Sequence, residues 1–353
     1  MSKTLLLPCA GKSSRYPGVP PKWMLTLPDG QLALARAANS VSLELYARTI
    51  VAVRRDHEER YAAAALVERA LGPDTEVLIL GHDTRGPADT VAEMIRRSAV
   101  SGAFAIKDAD SFFDAVPSSA PGFVAVCDVR ATPQMSNVGG KSFAVVNDNG
   151  LIVGMVEKSL ASNYVSVGLY GFPDTNIYAE TFRVLSDAYE SGEIFVSHVV
   201  NRAITNGLVV APLFVSNLVD VGTAEDWRRH VRTRGSIFTD LDGVVFQNHS
   251  AYFAPFWSDE DIPIEENVAT LRAWQEQGAQ LVFITARPDI YRRKTEQALQ
   301  KLGLNPHALI MNCRHGRRFL INDHAASNPY PAAVGISIER DSPTLSDYLK
   351  DWL

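Results

Sequence analysis

The chain has 353 residues and a mass of 38.6 kDa, a size that favours two domains over one. Hydrophobic residues make up 46% and charged residues 21%, a mix typical of folded chains. The net charge of -6 disfavours a general binder of nucleic acids or anionic membranes, either of which would need a basic excess. The negative net charge is still compatible with small anionic substrates, because a metal ion can reverse the local field of an acidic site.

Cysteine usage and apolar runs bear on the cellular setting. Cys9, Cys127 and Cys313 have no metal-site spacing, and an odd count makes a poor disulfide framework. We therefore expect a reducing cytoplasm. The apolar run at residues 1–7 is too short for a signal peptide, and no stretch of 18 apolar residues predicts a transmembrane helix.

The first part of the chain alternates short apolar runs with helical segments. This alternation indicates an α/β domain with a mostly parallel, Rossmann-like sheet. Further apolar runs between residues 141 and 172, two of them joined by an Asn-Asp-Asn-Gly turn, predict antiparallel strands inserted in that sheet. The predicted strands are 4–7, 49–53, 76–80 and 123–126, and the predicted helices are 34–47, 58–70 and 89–98.

The alternation restarts near residue 220 and predicts a second α/β domain. We expect one domain over residues 1–233 and another over residues 234–353, the latter of normal domain size. Its predicted strands are 236–239, 281–285 and 318–321, and helices are predicted at 224–232, 269–277 and 293–301.

A loop of small residues follows the first strand. It begins at Ala10 and Gly11, and it lets backbone N–H groups approach phosphates closely. The loop lacks both the P-loop pattern of ATPases and the dinucleotide fingerprint. Arg15 and Lys22 add two cations suited to a triphosphate and to charge that develops during transfer. A merely structural Gly/Ser turn would account for the loop alone equally well.

Later residues strengthen the functional interpretation. A second tight loop around Gly86 enters a helix, and Lys158 follows the end of an apolar strand. Asp110 and Asp220 lie at the ends of strands, where two carboxylates can hold Mg²⁺ and leave positions for phosphates and water. Taken singly, Asp110 suits a solvated loop and Asp220 a helix N-cap. Their order along the chain with Gly11 favours a shared site.

These motifs, over about residues 1–230, resemble the nucleotidylyltransferase family that makes nucleotide sugars and related activated phosphates. The resemblance implies that Asp110 and Asp220 bind the metal, that Lys158 contacts the acceptor phosphate, and that Arg15 and Lys22 are catalytic. Ser13 stands where the family often has a second glycine, and this departure looks closest to members that act on choline phosphate, alditol phosphates or capsular sugars. The implied nucleotide-binding residues are Ala10, Gly11, Ser13, Ser14, Gly86, Ala88, Asp89 and Thr90.

The reaction implied by this resemblance forms no covalent intermediate. A phosphate oxygen of the acceptor attacks the α-phosphorus of the triphosphate in line, and pyrophosphate leaves. Mg²⁺, Arg15 and Lys22 would stabilise the added charge. CTP is the favoured triphosphate on resemblance alone.

The strongest motif lies in the second predicted domain. An apolar strand leads into Asp240-Leu241-Asp242-Gly243, where acids at positions i and i+2 point to the same side. Thr285 ends a second apolar strand, and Asp323 follows a third. Because open α/β sheets bind ligands at the carboxyl ends of their strands, we expect these side chains to converge.

These residues resemble the haloacid-dehalogenase-like phosphatases over about residues 235–353. The resemblance implies that Asp240 is the nucleophile and Asp242 the general acid and base. Thr285 would bind a phosphoryl oxygen, and Asp323 would complete a Mg²⁺ site with Asp240 and Asp242. No clear match exists for the family's lysine, and Arg317, Arg318 or Lys294 could substitute. The short spacing between the motifs leaves no room for an inserted cap domain and so predicts a capless domain. The aromatic loop at 247–260 could either shape the substrate pocket or pack against the first domain.

The motifs together predict a bifunctional enzyme, a Mg²⁺-dependent nucleotidylyltransferase fused to a phosphatase, for bacterial surface polysaccharide synthesis. Its partners would be a nucleoside triphosphate and a small phosphorylated substrate, and it could form a homo-oligomer. Two alternatives remain open. The second domain could be a non-catalytic interaction or regulatory module, or the first could bind nucleotide as a sensor without transfer.

Overall fold

The computed structural model describes residues 3–13, 20–118, 120–132, 135, 137–189, 191–248, 261–323 and 333–349. The chain forms two compact units, Met1–Trp227 and Arg228–Leu353. Among the helices within the described ranges, none has both the length and the apolar character needed to span a bilayer.

The first unit is built on a ten-stranded mixed sheet. The strands are β1 (Lys3–Pro8), β2 (Tyr46–Arg54), β3 (Glu76–Leu80), β4 (Phe104–Lys107), β5 (Ser111–Ala115), β6 (Phe123–Asp128), β7 (Ser142–Val146), β8 (Ile152–Glu157), β9 (Tyr164–Phe172) and β10 (Ala211–Asp220). Their order is β3-β2-β1-β4-β9-β6-β10-β5, with β7 paired to β9 and β8 paired to β7. Pairs β1–β2, β1–β4, β2–β3 and β6–β10 are parallel.

Helices cover both faces of this sheet, which explains why β1 is a continuous apolar run. Successive side chains of a strand alternate between faces, so Leu6 packs into one hydrophobic cluster while Leu5 and Leu7 pack into another. The helices are α1 (Ala33–Asn39), α2 (Arg55–Tyr61), α3 (Ala63–Leu71), α4 (Pro87–Arg97), α5 (Thr175–Ala188) and α6 (Val196–Thr205), followed by α7 (Ala224–Arg232), which spans the boundary of the two units. The first cluster includes residues of α4, α5 and α6, and the second includes residues of α1 and α3.

The predicted insertion of antiparallel strands is confirmed. Strand β9 runs antiparallel to β4 and β6, and β7 and β8 form an antiparallel hairpin that pairs with β9. The hairpin turn is held by Asn147, whose Oδ1 accepts hydrogen bonds from the N–H groups of Asn149 (3.1 Å) and Leu151 (3.0 Å). Gly150 supplies the positive φ of 74° that this turn requires.

Two predicted helices are wrong in their extent. The helix predicted at 34–47 ends at Asn39, and β2 already begins at Tyr46. The helix predicted at 58–70 is two helices, because Ala62 adopts a left-handed conformation with φ of 50°. The carboxylate of Glu58 accepts a hydrogen bond from the N–H of Ala64 (2.7 Å) and so satisfies a free donor of the second helix. A side-chain bond to the backbone thus ends a helix that the Ala-rich sequence would continue.

The second unit contains a smaller parallel sheet of β11 (Ser236–Thr239), β12 (Gln280–Ile284) and β13 (Ala308–Ile310), in that order. Helices α8 (Glu265–Glu276), α9 (Arg292–Lys301) and α10 (Leu345–Leu349) contribute residues to its hydrophobic core. The strand predicted at 318–321 is wrong: this segment is irregular, with Phe319 82% and Ile321 91% exposed. Strand β13 pairs with β12 instead.

The close contact between β6 and β9 leads to a testable packing prediction. A Cβ atom at Gly171 would overlap Cε1 of the buried Phe123 ring. Gly171→Ala should therefore lower the free energy of unfolding by about 1–3 kcal/mol, the usual cost of overpacking. Gly139→Ala is the control, since a Cβ there meets no atom within 4 Å. Equal stability of the two variants in urea unfolding would contradict the prediction.

Candidate active site

A cavity of about 600 Å³ opens at the carboxyl edge of the first unit's sheet. The loops after β1, β3 and β4 line it, together with the end of β10. This is the edge where parallel α/β sheets bind ligands. The predicted site residues that line it are Ala10, Gly11, Ser13, Lys22, Gly86, Thr90, Asp110, Lys158 and Asp220.

The loop after β1 has an open backbone and an internal tie. A Cβ atom at Gly11 would meet nothing within 4 Å. The Oγ of Ser13 accepts a hydrogen bond from the N–H of Lys22 (3.2 Å), so the two ends of the predicted phosphate-binding segment are connected. Lys12 forms an ion pair with Asp83 (2.7 Å) at the same cavity. Ser14 and Arg15, two predicted site residues, lie outside the described residues.

Gly86 is required by its surroundings. Its φ is 125°, and a Cβ atom there would lie 2.7 Å from Cγ of Glu193 and 2.8 Å from the carbonyl oxygen of Ile194. Ala88 and Asp89 are not among the described residues that line the cavity. They hold the loop instead, because Ala88 donates its N–H to the Ile194 oxygen (3.2 Å) and Asp89 accepts from the N–H of Arg85 (2.8 Å).

Antiparallel pairing of β5 and β10 brings the two predicted metal ligands together. Asp220 lies opposite Ser111, and the N–H of Val221 donates to the carbonyl oxygen of Asp110 (2.9 Å). Both carboxylates reach Gly222, where a Cβ atom would lie 3.0 Å from Asp220 Oδ1 and 3.4 Å from Asp110 Oδ2. The sequence predicts these two residues separately, and the strand register makes them neighbours.

Each of these carboxylates faces a lysine. Asp110 forms an ion pair with Lys22, and Asp220 forms one with Lys141. Lys141 also lies near Gly222, at 3.7 Å from the position of its absent Cβ. Two anions and two cations are therefore concentrated in one part of the cavity, an arrangement suited to a polyanionic ligand.

Neighbouring acids in this region have pKa values shifted in opposite directions. Burial disfavours ionisation of Asp110, but Lys22 and Lys141 outweigh it and hold the pKa below its usual range. Burial and the adjacent Asp110 raise the pKa of Asp108 to about 6. Burial also lowers the pKa of Lys107 to about 8, although nearby carboxylates oppose this change. Asp108 and Asp110 line the same cavity, and acids whose pKa values are pushed apart are typical of functional sites.

The cavity lining next to Lys141 carries hydroxyls around one carboxylate. Glu157 Oε2 accepts hydrogen bonds from the hydroxyls of Ser142 and Ser197, the latter at 2.5 Å. The adjacent Lys158 has a positive φ of 52°, and its ammonium lies 4.2 Å from the centre of the Phe195 ring. This region offers acceptors for hydroxyl groups and a cation beside an aromatic face.

The donor set fits Mg²⁺. In the described part of the chain, no cluster of three or more His, Cys, Asp or Glu side chains could hold a metal ion. Mg²⁺ commonly takes only one or two carboxylates and completes its octahedron with phosphate oxygens and water. Asp110 and Asp220 match this requirement, because both face an open cavity rather than a closed cage.

Lys107 and Lys141 were missed by the sequence interpretation. Lys107 falls within the apolar run of β4, where a charged residue is unusual, and this was the available signal. Lys141 follows Gly139 and Gly140, and a cation after two glycines is a weak signal alone. Its pairing with Asp220 spans 79 residues and depends on the fold.

The second unit brings Asp240, Asp242 and Thr285 to the carboxyl ends of β11 and β12. The hydroxyl of Thr285 lies 3.5 Å from Asp242 Oδ2. The fully buried Arg287 donates to both oxygens of Asp242, at 2.6 and 2.9 Å, and to Asp261 (2.9 Å). Three of the predicted residues thus lie at one sheet edge, with a buried guanidinium that the sequence interpretation did not assign.

Lys294 lies in α9, and the remaining predicted residues of this unit lie in an irregular segment. Arg318 donates to Asp240 Oδ2 (2.6 Å), and the neighbouring Arg317 is exposed. Asp323 is also exposed, and its N–H donates to Asn322 Oδ1 (3.0 Å). The side chain beside the predicted nucleophile is therefore Arg318, one of three candidates for the missing lysine. The aromatic residues of the 249–260 loop lie outside the described residues.

Solved structures share the mixed α/β sheet architecture. A nucleoside-diphosphate-sugar pyrophosphorylase from Vibrio cholerae RC9 matches with a TM-score of 0.56 and 22% identity, over 65% of this chain and 99% of that chain. An inositol-1-phosphate CTP transferase from T. maritima matches with a TM-score of 0.52 and 17% identity, over 64% of this chain and 91% of that chain. No protein-family model and no curated protein sequence matches the chain. At these identities the likeness establishes a shared mixed α/β fold.

The pairing of Lys22 with Asp110 predicts a pH-dependent contribution to stability. The pKa of Asp110 is depressed in the folded state, so its contribution is present above the unfolded value of 3.8 and is lost as pH falls through the folded pKa. Lys22→Met should lower the free energy of unfolding at pH 7 by about 1–2 kcal/mol, less than for a fully buried pair because Lys22 is 34% exposed. The deficit should shrink at pH 4.5, where the variant's Asp110 can protonate.

The matched control is Lys12→Met, which removes a lysine from the more exposed pair with Asp83. This change should cost less than about 0.5 kcal/mol at either pH. Urea unfolding at the two pH values measures both variants. A pH-independent deficit in Lys22→Met would show that the pair does not control the ionisation of Asp110.

Proposed function

We propose that the first unit is a Mg²⁺-dependent nucleotidylyltransferase. It would transfer a nucleotidyl group, with CTP as the first choice of donor, to a phosphorylated sugar, alditol or small headgroup. The observation that supports this most is the convergence of Asp110 and Asp220 at Gly222, in the same cavity as the Gly11 loop. The fold shared with a sugar nucleotide pyrophosphorylase and an inositol-1-phosphate CTP transferase adds support.

Each part of the cavity takes a role in this proposal. Backbone N–H groups of the loop at Gly11 bind the triphosphate, and the Gly86 loop borders the base and ribose. Asp110 and Asp220 hold the metal ion, which when bound neutralises phosphate charge as a Lewis acid. Lys158 binds the acceptor phosphate beside Phe195, and Glu157 accepts hydrogen bonds from acceptor hydroxyls. Donor and acceptor would thereby bind in one cavity.

The transfer is a single displacement. An acceptor phosphate oxygen forms a bond to the α-phosphorus, and the bond from that phosphorus to the bridging oxygen breaks as pyrophosphate leaves. Lys22 supplies positive charge to the transferring and leaving phosphates, and we assign the same role to Arg15. Lys141 offsets the negative charge of Asp220. Positioning and charge stabilisation carry the reaction, since no group of the protein is covalently modified.

The transferase proposal predicts the effect of neutralising either ligand. Asp110→Asn and Asp220→Asn should each lower kcat for pyrophosphate release by at least about 100-fold, because an amide holds a divalent cation more weakly than a carboxylate. Asp148→Asn, in the exposed hairpin turn, is the control and should keep wild-type turnover. The assay screens the four common nucleoside triphosphates against phosphorylated alcohols and sugars. Full turnover in both variants would refute the assignment.

The same screen tests whether the first unit is a nucleotide sensor. A sensor would bind a triphosphate in calorimetry and yet release no pyrophosphate with any acceptor. The presence of Glu157 and Lys158 in the cavity lining supports transfer, because a sensor needs no acceptor site. Pyrophosphate release that requires an added phosphate acceptor would exclude the sensor.

We propose phosphomonoester hydrolysis for the second unit, within the predicted domain 234–353. Support comes from Asp240, Asp242 and Thr285 at adjacent strand ends. Asp240 would attack phosphorus and form an aspartyl-phosphate, and Asp242 would protonate the leaving oxygen and then activate water. Asp323 would contribute to Mg²⁺ binding, and we keep Arg317 beside Arg318 as a candidate for the cationic role. Together the two activities would serve surface polysaccharide synthesis.

Removal of the nucleophile tests this second activity. Asp240→Asn should lower phosphate release from a panel of small phosphomonoesters to background, since an amide cannot form the acyl phosphate. Asp289→Asn is the matched control, because this exposed aspartate pairs only locally with Arg292 in the described structure. Phosphate release that is undetectable in the wild-type protein would instead favour a non-catalytic module. Equal release from wild type and Asp240→Asn would exclude Asp240 as nucleophile.

A further inference from the structure

Lys107 is a fully buried lysine next to the predicted metal ligands. It is the last residue of β4, it is 0% exposed, and it is among the largest completely buried side chains. Buried lysines are rare because burial of an ammonium costs free energy unless its protons are bound. None of the roles proposed above for the transfer reaction explains why a lysine is buried at this position.

The ammonium of Lys107 has an acceptor for each of its three protons. It donates to the carbonyl oxygens of Asp108 (2.6 Å) and Ser111 (2.8 Å) and to Ser111 Oγ (2.9 Å). The two carbonyls lie on either side of Asp110 in sequence. One side chain therefore connects both ends of the turn that carries Asp110.

This turn is also joined to β9. The hydroxyl of Ser111 donates to the carbonyl oxygen of Val167 (2.6 Å), and the N–H of Asp108 donates to the carbonyl oxygen of Gly168 (2.7 Å). Gly168 has a φ of 77°, and a Cβ atom there would lie 2.5 Å from Asp108 Oδ2, so the two segments approach closely. Lys107 thus belongs to a network that locks residues 108–111 against the sheet.

We infer that Lys107 is a positioning residue for the transfer reaction. Its ammonium holds the turn in the conformation that directs the Asp110 carboxylate to Gly222, beside Asp220. It acts through backbone carbonyls and need not touch substrate. The inference rests on the proposed function, because it assigns Lys107 to the metal ligand of that same site. Displacement of a catalytic group by about 1 Å is enough to lower a rate 100-fold.

Replacing Lys107 by a neutral side chain of similar length tests whether the ammonium, and not only the volume of the side chain, is needed. Lys107→Met keeps most of the volume but leaves two carbonyls and a hydroxyl without their donor, so the turn can relax. Ser111→Ala removes one of the three acceptors and the bond to Val167, and it should act in the same direction with a smaller effect. Lys301→Met removes an exposed lysine at the end of α9 and is the control.

The experiment measures Mn²⁺ binding to the full-length, nucleotide-free protein by electron paramagnetic resonance, with circular dichroism as a check of folding. Steady-state kinetics of the same variants give kcat and KM for CTP. Lys107→Met should bind Mn²⁺ about 10-fold more weakly or worse, as for other residues that orient metal ligands. Its kcat should fall more than KM rises. Lys301→Met should match wild type in every measurement.

Several outcomes would overturn the inference. A folded Lys107→Met protein with wild-type Mn²⁺ affinity would do so, and so would a wild-type protein that binds no Mn²⁺. If Lys107→Met does not fold, Ser111→Ala decides, and unchanged Mn²⁺ affinity and kcat in that variant overturn the proposal. Failure of the transferase itself is distinguishable: wild type would release no pyrophosphate with any triphosphate, while the loss of Mn²⁺ affinity in the variants would still support the positioning role.

Discussion

The pairing of β5 with β10 is the constraint on which the first unit's site depends. The first residues of these strands lie 100 positions apart in sequence, yet the hydrogen bond from Val221 to Asp110 makes two carboxylates neighbours at one sheet edge. Like charges so close would repel, and the lysines that face them, Lys22 and Lys141, offset that repulsion. The cavity is thereby balanced in charge and still able to accept a cation together with a polyanion.

Much of the fold follows from local sequence patterns. Buried parallel strands are continuous apolar runs, and the Asn-Asp-Asn-Gly turn marks the β7–β8 hairpin, so the mixed sheet was predictable. The errors are local. Glu58 accepts a hydrogen bond from a backbone N–H at the junction of two helices, and residues 319–321 are exposed despite their apolar character. A side-chain bond to the backbone leaves no periodic trace in the sequence, and an apolar run alone does not decide which segment enters a sheet.

The positions of candidate residues were predictable where a polar residue lies at or just beyond the end of an apolar strand, as for Asp110, Asp220, Asp240 and Thr285. They were not predictable where a partner comes from a distant or atypical position. Lys107 is a buried cation at the end of an apolar strand, and Arg287 is a buried cation two residues beyond Thr285. Both side chains are satisfied by several acceptors at once, and that satisfaction exists only in the folded chain.

The crowding at Gly86 limits how this cavity can change. Because the backbone and side chain after α5 lie within 3 Å of any added carbon, no other residue type fits without moving the α5–α6 connection. A change in the ligand that this cavity accepts would therefore leave position 86 alone. It would begin at the flanking Thr84 and Arg85, which already carry side chains that contact Thr90 and Ser186.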